Sequence, residues 1–313
     1  MGRYAGLARS WSGGCSCLSW ITGDGKHLWG RNFDFDRIAQ GTAVTYLPAG
    51  TPYLPAGQDQ GLEQTSRYAA VGIGSLLIPG TPVLFEGINE KGLMGGQLYY
   101  REFAWFPSAP APDRLPLCPP FAVSHLLAQC ACVEEAARAL EKGLFLAAIP
   151  VLGTVPPLHW AFSDRTGEMM IVESDAEGLH IYRHTLGVMT NSPGYPWHRT
   201  NLLNYAGIRQ EDRGEMRFGE ELLHPSFSGS GAQGLPGDWS SPSRFVRLAF
   251  LRQCCVPGPD EKTGICRLFR LLQSAAFPLG MVRVPETAAA DYDTGVVPYD
   301  YTLYSCAMCA ESL

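Results

Sequence analysis

The first fourteen residues, rich in glycine and serine, run straight into Gly14-Cys15, and Cys15 opens a β-prone stretch. Cutting the Gly14–Cys15 bond would give Cys15 a free α-amino group of pKa about 8 beside its own thiol of pKa about 8.5, so that one residue would hold a nucleophile and a base. The competing reading is an ordinary half-buried thiol behind a tail without a role. Downstream, Arg31-Asn32-Phe33-Asp34 lies on a strand whose period of two puts Arg31 and Phe33 on one face and Asn32 and Asp34 on the other. A guanidinium beside a thiol lowers its pKa, and a carboxylate holds and orients an amine. A surface ion pair would use the same two residues, and spacing does not choose between these readings.

These residues need a scaffold, and the β-patterning supplies one. Leu18 to Thr22, a turn at Gly23-Asp24-Gly25 and His27 to Phe35 predict a hairpin. Residues 46–66 are rich in proline, glycine and polar side chains and predict a long loop; Tyr68 to Ile78 predicts a strand, and Val83 to Leu98 a second hairpin around Asn89-Glu90-Lys91-Gly92. Six prolines between Pro107 and Pro120 exclude regular structure there. Apolar spacing predicts a helix over Phe121 to Lys142, with Cys130 and Cys132 as small core residues inside it. Strands are predicted over His159–Ser163, Met169–Glu173 and Leu179–Tyr182, and helices over Trp197–Tyr205, Ser241–Cys255 and Thr263–Ser274. Short turns make neighbouring strands antiparallel, and the order of elements favours antiparallel sheets layered with helices.

Composition narrows the partners. With 313 residues, 46% apolar, 24 basic against 30 acidic side chains and a net charge of −6, the chain has an ample core and no basic stripe for nucleic acid. Its best apolar window, Gly143 to Gly153, is too short to cross a bilayer. The amino-terminal residues lack the apolar segment of a secretion signal, and the ten cysteines fall mostly in near-adjacent pairs, so the expected compartment is a reducing cytoplasm. A zinc site from Cys15, Cys17, Cys306 and Cys309 is disfavoured because Cys306–Cys309 lies in a predicted strand. His27, His125 and His159 have no helical i, i+4 partner and are assigned structural roles.

The string Cys15-Ser16-Cys17-Leu18-Ser19, with Thr22, Asp24, His27-Leu28 and Gly30-Arg31-Asn32-Phe33-Asp34-Phe35, resembles the amino-terminal signature of the choloylglycine hydrolase and penicillin V acylase family. Further similar blocks are Glu86 to Leu93, Pro157 to Trp160, Gly187 to Pro193, Gly234 to Asp238 with Ser243-Arg244-Phe245, and Tyr301 to Tyr304 with Ala307-Met308-Cys309. The resemblance implies an α+β, four-layer αββα N-terminal nucleophile hydrolase with two stacked antiparallel sheets. It would cleave linear amides without metal or organic cofactor. Residues 1–14 would be a propeptide removed by attack of the Cys15 thiol on the preceding carbonyl, and 15–313 a single amidohydrolase domain lacking the family's last strands. Cys15 would be the nucleophile flanked by Arg31 and Asp34, Asn191 an oxyanion donor, and Arg244 the completion of the polar cluster. A homo-oligomer, in particular a tetramer, is implied as well.

For the substrate, the resemblance places Tyr99 at the second oxyanion position, where bile salt hydrolases have asparagine, and so points to the penicillin V acylase branch. A phenoxyacetyl group would suit a pocket of Phe33, Tyr99, Tyr100, Phe103, Trp105 and Phe106, although each of these rings could equally be core. Conjugated bile salts and N-acyl homoserine lactones are the alternative amide substrates, and a non-catalytic binder of acyl ligands is the alternative from another class.

Overall fold

Unbroken burial from Cys15 to Trp20 and Leu28 to Arg31 makes the amino-terminal hairpin the centre of the molecule rather than its margin. β1 (Gly13–Ile21) pairs antiparallel with β2 (His27–Phe35) from Gly13↔Phe35 to Ile21↔His27, and Gly25 takes the left-handed turn at φ 81°. The computed structural model describes residues 13–39, 41–57, 62–78, 80–109, 111–284 and 297–313; apart from Gly13 and Gly14, the expected propeptide lies outside them.

The chain then builds a second, seven-stranded sheet. It comprises β3 (Thr42–Leu47), β4 (Ala70–Ser75), β5 (Val83–Asn89), β6 (Met94–Tyr99), β7 (Leu158–Ser163), β8 (Met169–Asp175) and β9 (Gly178–Tyr182). Their order across the sheet is β9-β8-β7-β6-β5-β4-β3, antiparallel throughout. β10 (Val188–Met189), β11 (Val282–Arg283) and β12 (Tyr299–Cys309) join the hairpin in a five-stranded sheet ordered β10-β1-β2-β12-β11. The expected antiparallel layering is therefore present.

Helices cover the outer faces. On the five-stranded sheet, Phe245 and Leu248 of α4 (Ser241–Cys254) and Leu268, Leu271 and Leu272 of α5 (Glu261–Gln273) join one core with Leu18, Leu28 and Trp29. Met94, Leu98 and Ile171 reach the same core from the second sheet. On the far side, α1 (Ala122–Gln129) and α2 (Val133–Arg138) pack Leu126, Leu127 and Val133 with Leu84, Trp160 and Met170. The layers are thus helix, sheet, sheet, helix. Two glycines set how closely they approach: a Cβ on Gly30 would lie 3.0 Å from Leu268 Cδ2, and one on Gly96 2.8 Å from Trp29 Cη2. Among the described residues no helix is long and apolar enough to cross a membrane.

Several expectations need correction. The helix expected over Phe121–Lys142 breaks at Cys130–Cys132, because Asn89 Nδ2 donates to the carbonyls of both Leu127 and Cys130 (2.8 and 2.7 Å), while Asp164 accepts from the first amide of α2 (Val133 N–H, 2.7 Å). Cys130 ends α1 and Cys132 precedes α2, both with extended backbone. The proline-rich stretch is not wholly irregular, since Leu115–Leu117 pairs in parallel with Leu144–Leu146. Within the loop predicted over 46–66, Pro52–Tyr53 pairs with Gln64–Thr65. Trp197–Tyr205 forms as α3 (Tyr195–Asn201) running into a 3₁₀ turn at Leu202–Tyr205.

Candidate active site

Strand pairing does most of the positioning. Because Cys15 lies opposite Phe33 and Cys17 opposite Arg31, the Cys15 and Arg31 side chains leave the hairpin on the same, inter-sheet face. There Arg31 Nη2 donates to Cys15 Sγ at 3.0 Å, while Nη1 donates to Glu86 Oε2 (2.7 Å) and to the Phe85 carbonyl (3.0 Å) of the facing sheet. Glu86 Oε1 accepts from the Tyr304 hydroxyl at 2.7 Å. Arg31 and Glu86 are fully buried, so the guanidinium meets thiol and carboxylate without water between them. Burial holds the Cys15 thiol above its ordinary value, and the nearby Arg31 charge offsets part of that rise. Cys17, equally buried, is pushed up to about 12 and stays a neutral thiol.

Asp34 points to the opposite face, toward the helices, where its Oδ1 accepts from the Thr302 hydroxyl. Its Oδ2 is buried with no hydrogen-bond partner among the described residues. Burial raises its pKa to about 7, against the pull of Arg244, Thr302 and Arg31. The folded carboxyl therefore binds a proton between about pH 4 and pH 7, where the unfolded one has lost it, and stability falls as pH rises through that window. With Cys15→Ala to keep the Gly14–Cys15 bond, urea melts at pH 5 and pH 7.5 should show a loss of at least about 1 kcal/mol, and adding Asp34→Asn should flatten it.

The third element is a clamp around the Cys15 backbone. With the Gly14–Cys15 bond intact, the Cys15 amide N–H donates to Asn191 Oδ1 at 2.9 Å. Arg244, from the first turn of α4, donates to the Cys15 carbonyl (2.6 Å), Ser16 Oγ (2.7 Å) and Asn191 Oδ1 (2.7 Å). Asn191 Nδ2 in turn donates to the Tyr99 carbonyl at 2.8 Å, which uses one of its two N–H bonds. His198, held neutral because burial lowers its pKa to about 4, donates from Nε2 to the Asn191 carbonyl at 2.9 Å, and the Ser241 hydroxyl takes the Asn191 N–H at 2.9 Å. Every polar direction of Asn191 is thereby fixed except that second N–H, the one a developing oxyanion would use.

The fold thus gathers Cys15, Arg31, Asp34, Asn191 and Arg244, with the Tyr99 carbonyl at the edge of the group. A family model described as linear amide C–N hydrolases, choloylglycine hydrolase family, matches residues 15–313. The chain belongs to the choloylglycine hydrolase family. That match starts at Cys15, the residue around which the cluster is built. The chain is 30% identical over 299 residues to a bile salt hydrolase/transferase of Clostridium perfringens, covering 95% of this chain and 86% of that one. A crystal structure of a conjugated bile acid hydrolase variant from the same organism superposes with a TM-score of 0.83 at 30% identity, over 95% of this chain and 86% of that one. The penicillin V acylase of Pectobacterium atrosepticum is 27% identical over 77% of this chain and 63% of its own length. The chain is accordingly a linear amide hydrolase of this family with the stacked-sheet architecture of an N-terminal nucleophile hydrolase, and the penicillin V acylase assignment drawn from Tyr99 is not the favoured one.

The aromatic pocket also needs revision. Tyr100 is 1% exposed and stacks on His159 with ring centroids 4.7 Å apart, and Phe106 is 7% exposed in the core beside Trp160. Neither offers a free face to a substrate. Phe103 stacks on Tyr100, and Trp105 is tied through its backbone to Ser174 of β8; both are partly exposed, and no contact among the described residues joins either to Cys15. Phe33 is half-buried, stacked on Tyr304 at 5.0 Å and covered by Arg31. Tyr99 lies beside Gly13, its ring stacked on Phe35 and 2.8 Å from where a Cβ on Gly13 would sit.

Sequence reasoning gave no role to Glu86, Tyr304, Thr302, Ser16 or His198, all of which hold the cluster. The one available signal was Glu86, a lone carboxylate in the otherwise uncharged strand Val83–Asn89.

Proposed function

We propose that the chain is an autocatalytically processed amidase acting on conjugated bile salts. Cys15 is its nucleophile once Gly14 has been removed. The observation that carries this is the 3.0 Å contact between the buried Arg31 Nη2 and the buried Cys15 Sγ. A cation there stabilises the thiolate, the species that attacks. Processing releases an α-amine at Cys15. The amine takes the thiol proton and passes it to the leaving nitrogen, and the unpartnered Asp34 Oδ2 supplies the acceptor its charged form needs. The Asn191 N–H and Arg244 stabilise the oxyanion and the backbone that carries the nucleophile. Water then hydrolyses the thioester.

The bile-salt assignment is supported by the 30% identity and 86% coverage of the Clostridium perfringens enzyme and by the burial of Tyr100 and Phe106, which leaves a flat phenoxyacetyl ring less to stack on. Release of glycine or taurine from conjugated bile salts should exceed release of the acyl group from penicillin V by about tenfold or more in kcat/KM. A preference for penicillin V would reverse the assignment and restore the significance of Tyr99.

A further inference from the structure

Gly13 and Gly14 stand in the same strand as the nucleophile, so their surroundings are those of the acyl side of the bond that processing would break. Gly14 pairs with Asp34, and a Cβ on it would lie 2.6 Å from Phe277 Cζ, 2.9 Å from Phe277 Cε2 and 3.4 Å from Arg244 Nη2. The Phe277 ring is 6% exposed, with the Arg244 guanidinium 5.0 Å from its centroid. Its backbone is latched to Thr302 in both directions, N–H to the Thr302 hydroxyl at 2.8 Å and carbonyl from the Thr302 N–H at 3.1 Å. Thr302 in turn donates to Asp34. Moving the ring away from Gly14 therefore disturbs Arg244 on one side and the support of Asp34 on the other.

We propose that Phe277 determines specificity as a steric gate that accepts only an unsubstituted methylene on the carbon next to the scissile carbonyl. In the precursor that carbon is Gly14 Cα. In a substrate it is the α-carbon of the acyl group, because the same sulfur must reach both carbonyls. This rests on the proposed function, in which one nucleophile performs both cleavages. In processing, Cys15 Sγ bonds to the Gly14 carbonyl carbon, the Gly14–Cys15 C–N bond breaks and the thiol proton passes to the released amine. Water then hydrolyses the thioester, returning a proton to sulfur and leaving a carboxylate on Gly14. The substrate class that follows is amides of carboxylic acids with a CH₂ next to the carbonyl, such as an unbranched alkanoyl side chain. Acyl groups with a branch at that carbon, such as an α-methyl, are rejected.

Intact-mass time courses of the wild type, Gly14→Val and Gly14→Val/Phe277→Ala test the first half. The wild type should lose residues 1–14, Gly14→Val should process at least about 100-fold more slowly, and the second substitution should recover at least about tenfold. For the second half, processed wild type and Phe277→Ala are given glycocholate and its analogue with a methyl group on the carbon next to the amide carbonyl. Wild type should prefer the unbranched amide by at least about 100-fold in kcat/KM, and the variant by at least about tenfold less. Phe277→Leu, which keeps more of the buried volume, should narrow the preference in the same direction should Phe277→Ala fail to fold. Gly14→Val processing at the wild-type rate, or an α-methyl penalty equal in wild type and gate variants, overturns the gate while leaving the amidase standing. A wild-type chain that neither processes nor hydrolyses glycocholate overturns the function and the gate together.

Discussion

A Cys15→Ala chain is expected to keep its Gly14–Cys15 bond indefinitely and to lose amide hydrolysis by about 10³-fold or more. No other thiol can take over. Cys17 lies two residues along on the same face and fully buried, yet burial holds it at about 12, and its neighbourhood gives it no free amine. Cys15 differs in having Arg31 Nη2 within 3.0 Å and a backbone held by Asn191 and Arg244 on either side of its own Cα. Removing one sulfur leaves those backbone bonds in place, so the variant should fold and melt close to the wild type. Intact mass then reports processing, and product release reports turnover. Cys15→Ser tests the sulfur itself: it keeps a nucleophilic atom of the second row in the same place, but its hydroxyl gains little from the guanidinium, so processing should slow sharply without the fold changing. A Cys15→Ala preparation whose mass matches residues 15–313 would show that cleavage needs no Cys15 thiol, and the assignment of the nucleophile would fall with it.

The parts of this arrangement legible in the sequence are those determined locally. The Asp24-Gly25 turn and the flanking β-patterning announce the hairpin, and the hairpin alone places Cys15 and Arg31 on one face. What the chain brings from a distance was not legible. Glu86 reaches Arg31 across 55 residues, and Thr302 reaches Asp34 across 268. A strand pattern records that such a side chain is buried and says nothing of its partner. The helix over Phe121–Lys142 failed for the same reason: its apolar spacing runs on across Cys130–Cys132, while the break is imposed by the Asn89 side chain from another strand. The aromatic pocket failed because Tyr99 and Tyr100 are consecutive at the end of β6 and point to opposite sides, Tyr99 toward Phe35 and Tyr100 toward His159. A cluster of rings in sequence is thus divided between site and core in space.

Arg31→Met should remove most activity and destabilise the protein by about 3–5 kcal/mol, because it strands a buried carboxylate. Arg31 is the one cation hydrogen-bonded to Glu86 among the described residues, and the Tyr304 hydroxyl satisfies only one of the two carboxylate oxygens. Burial already holds the Glu86 carboxyl above its ordinary value, against the opposing pull of Arg31 first and the Tyr304 hydroxyl second. Without the guanidinium, the folded state can keep Glu86 only by protonating it. The folded carboxyl then holds a proton at pH values where the unfolded one does not, so the variant should be most stable in acid and should weaken as pH rises toward neutrality, more steeply than the wild type. A second substitution, Glu86→Gln, removes the stranded charge while keeping an acceptor for Tyr304, and should recover at least about 1–2 kcal/mol of urea stability at pH 7.5. Activity should not return with it, since the thiol would still lack the charge that favours its anion. Stability regained without turnover would show that one guanidinium does two separable things, holding two sheets together through Glu86 and activating the sulfur of Cys15. If the double variant proves no more stable than Arg31→Met, the buried carboxylate is not the source of the penalty, and the pairing across the sheets has been given too large a role.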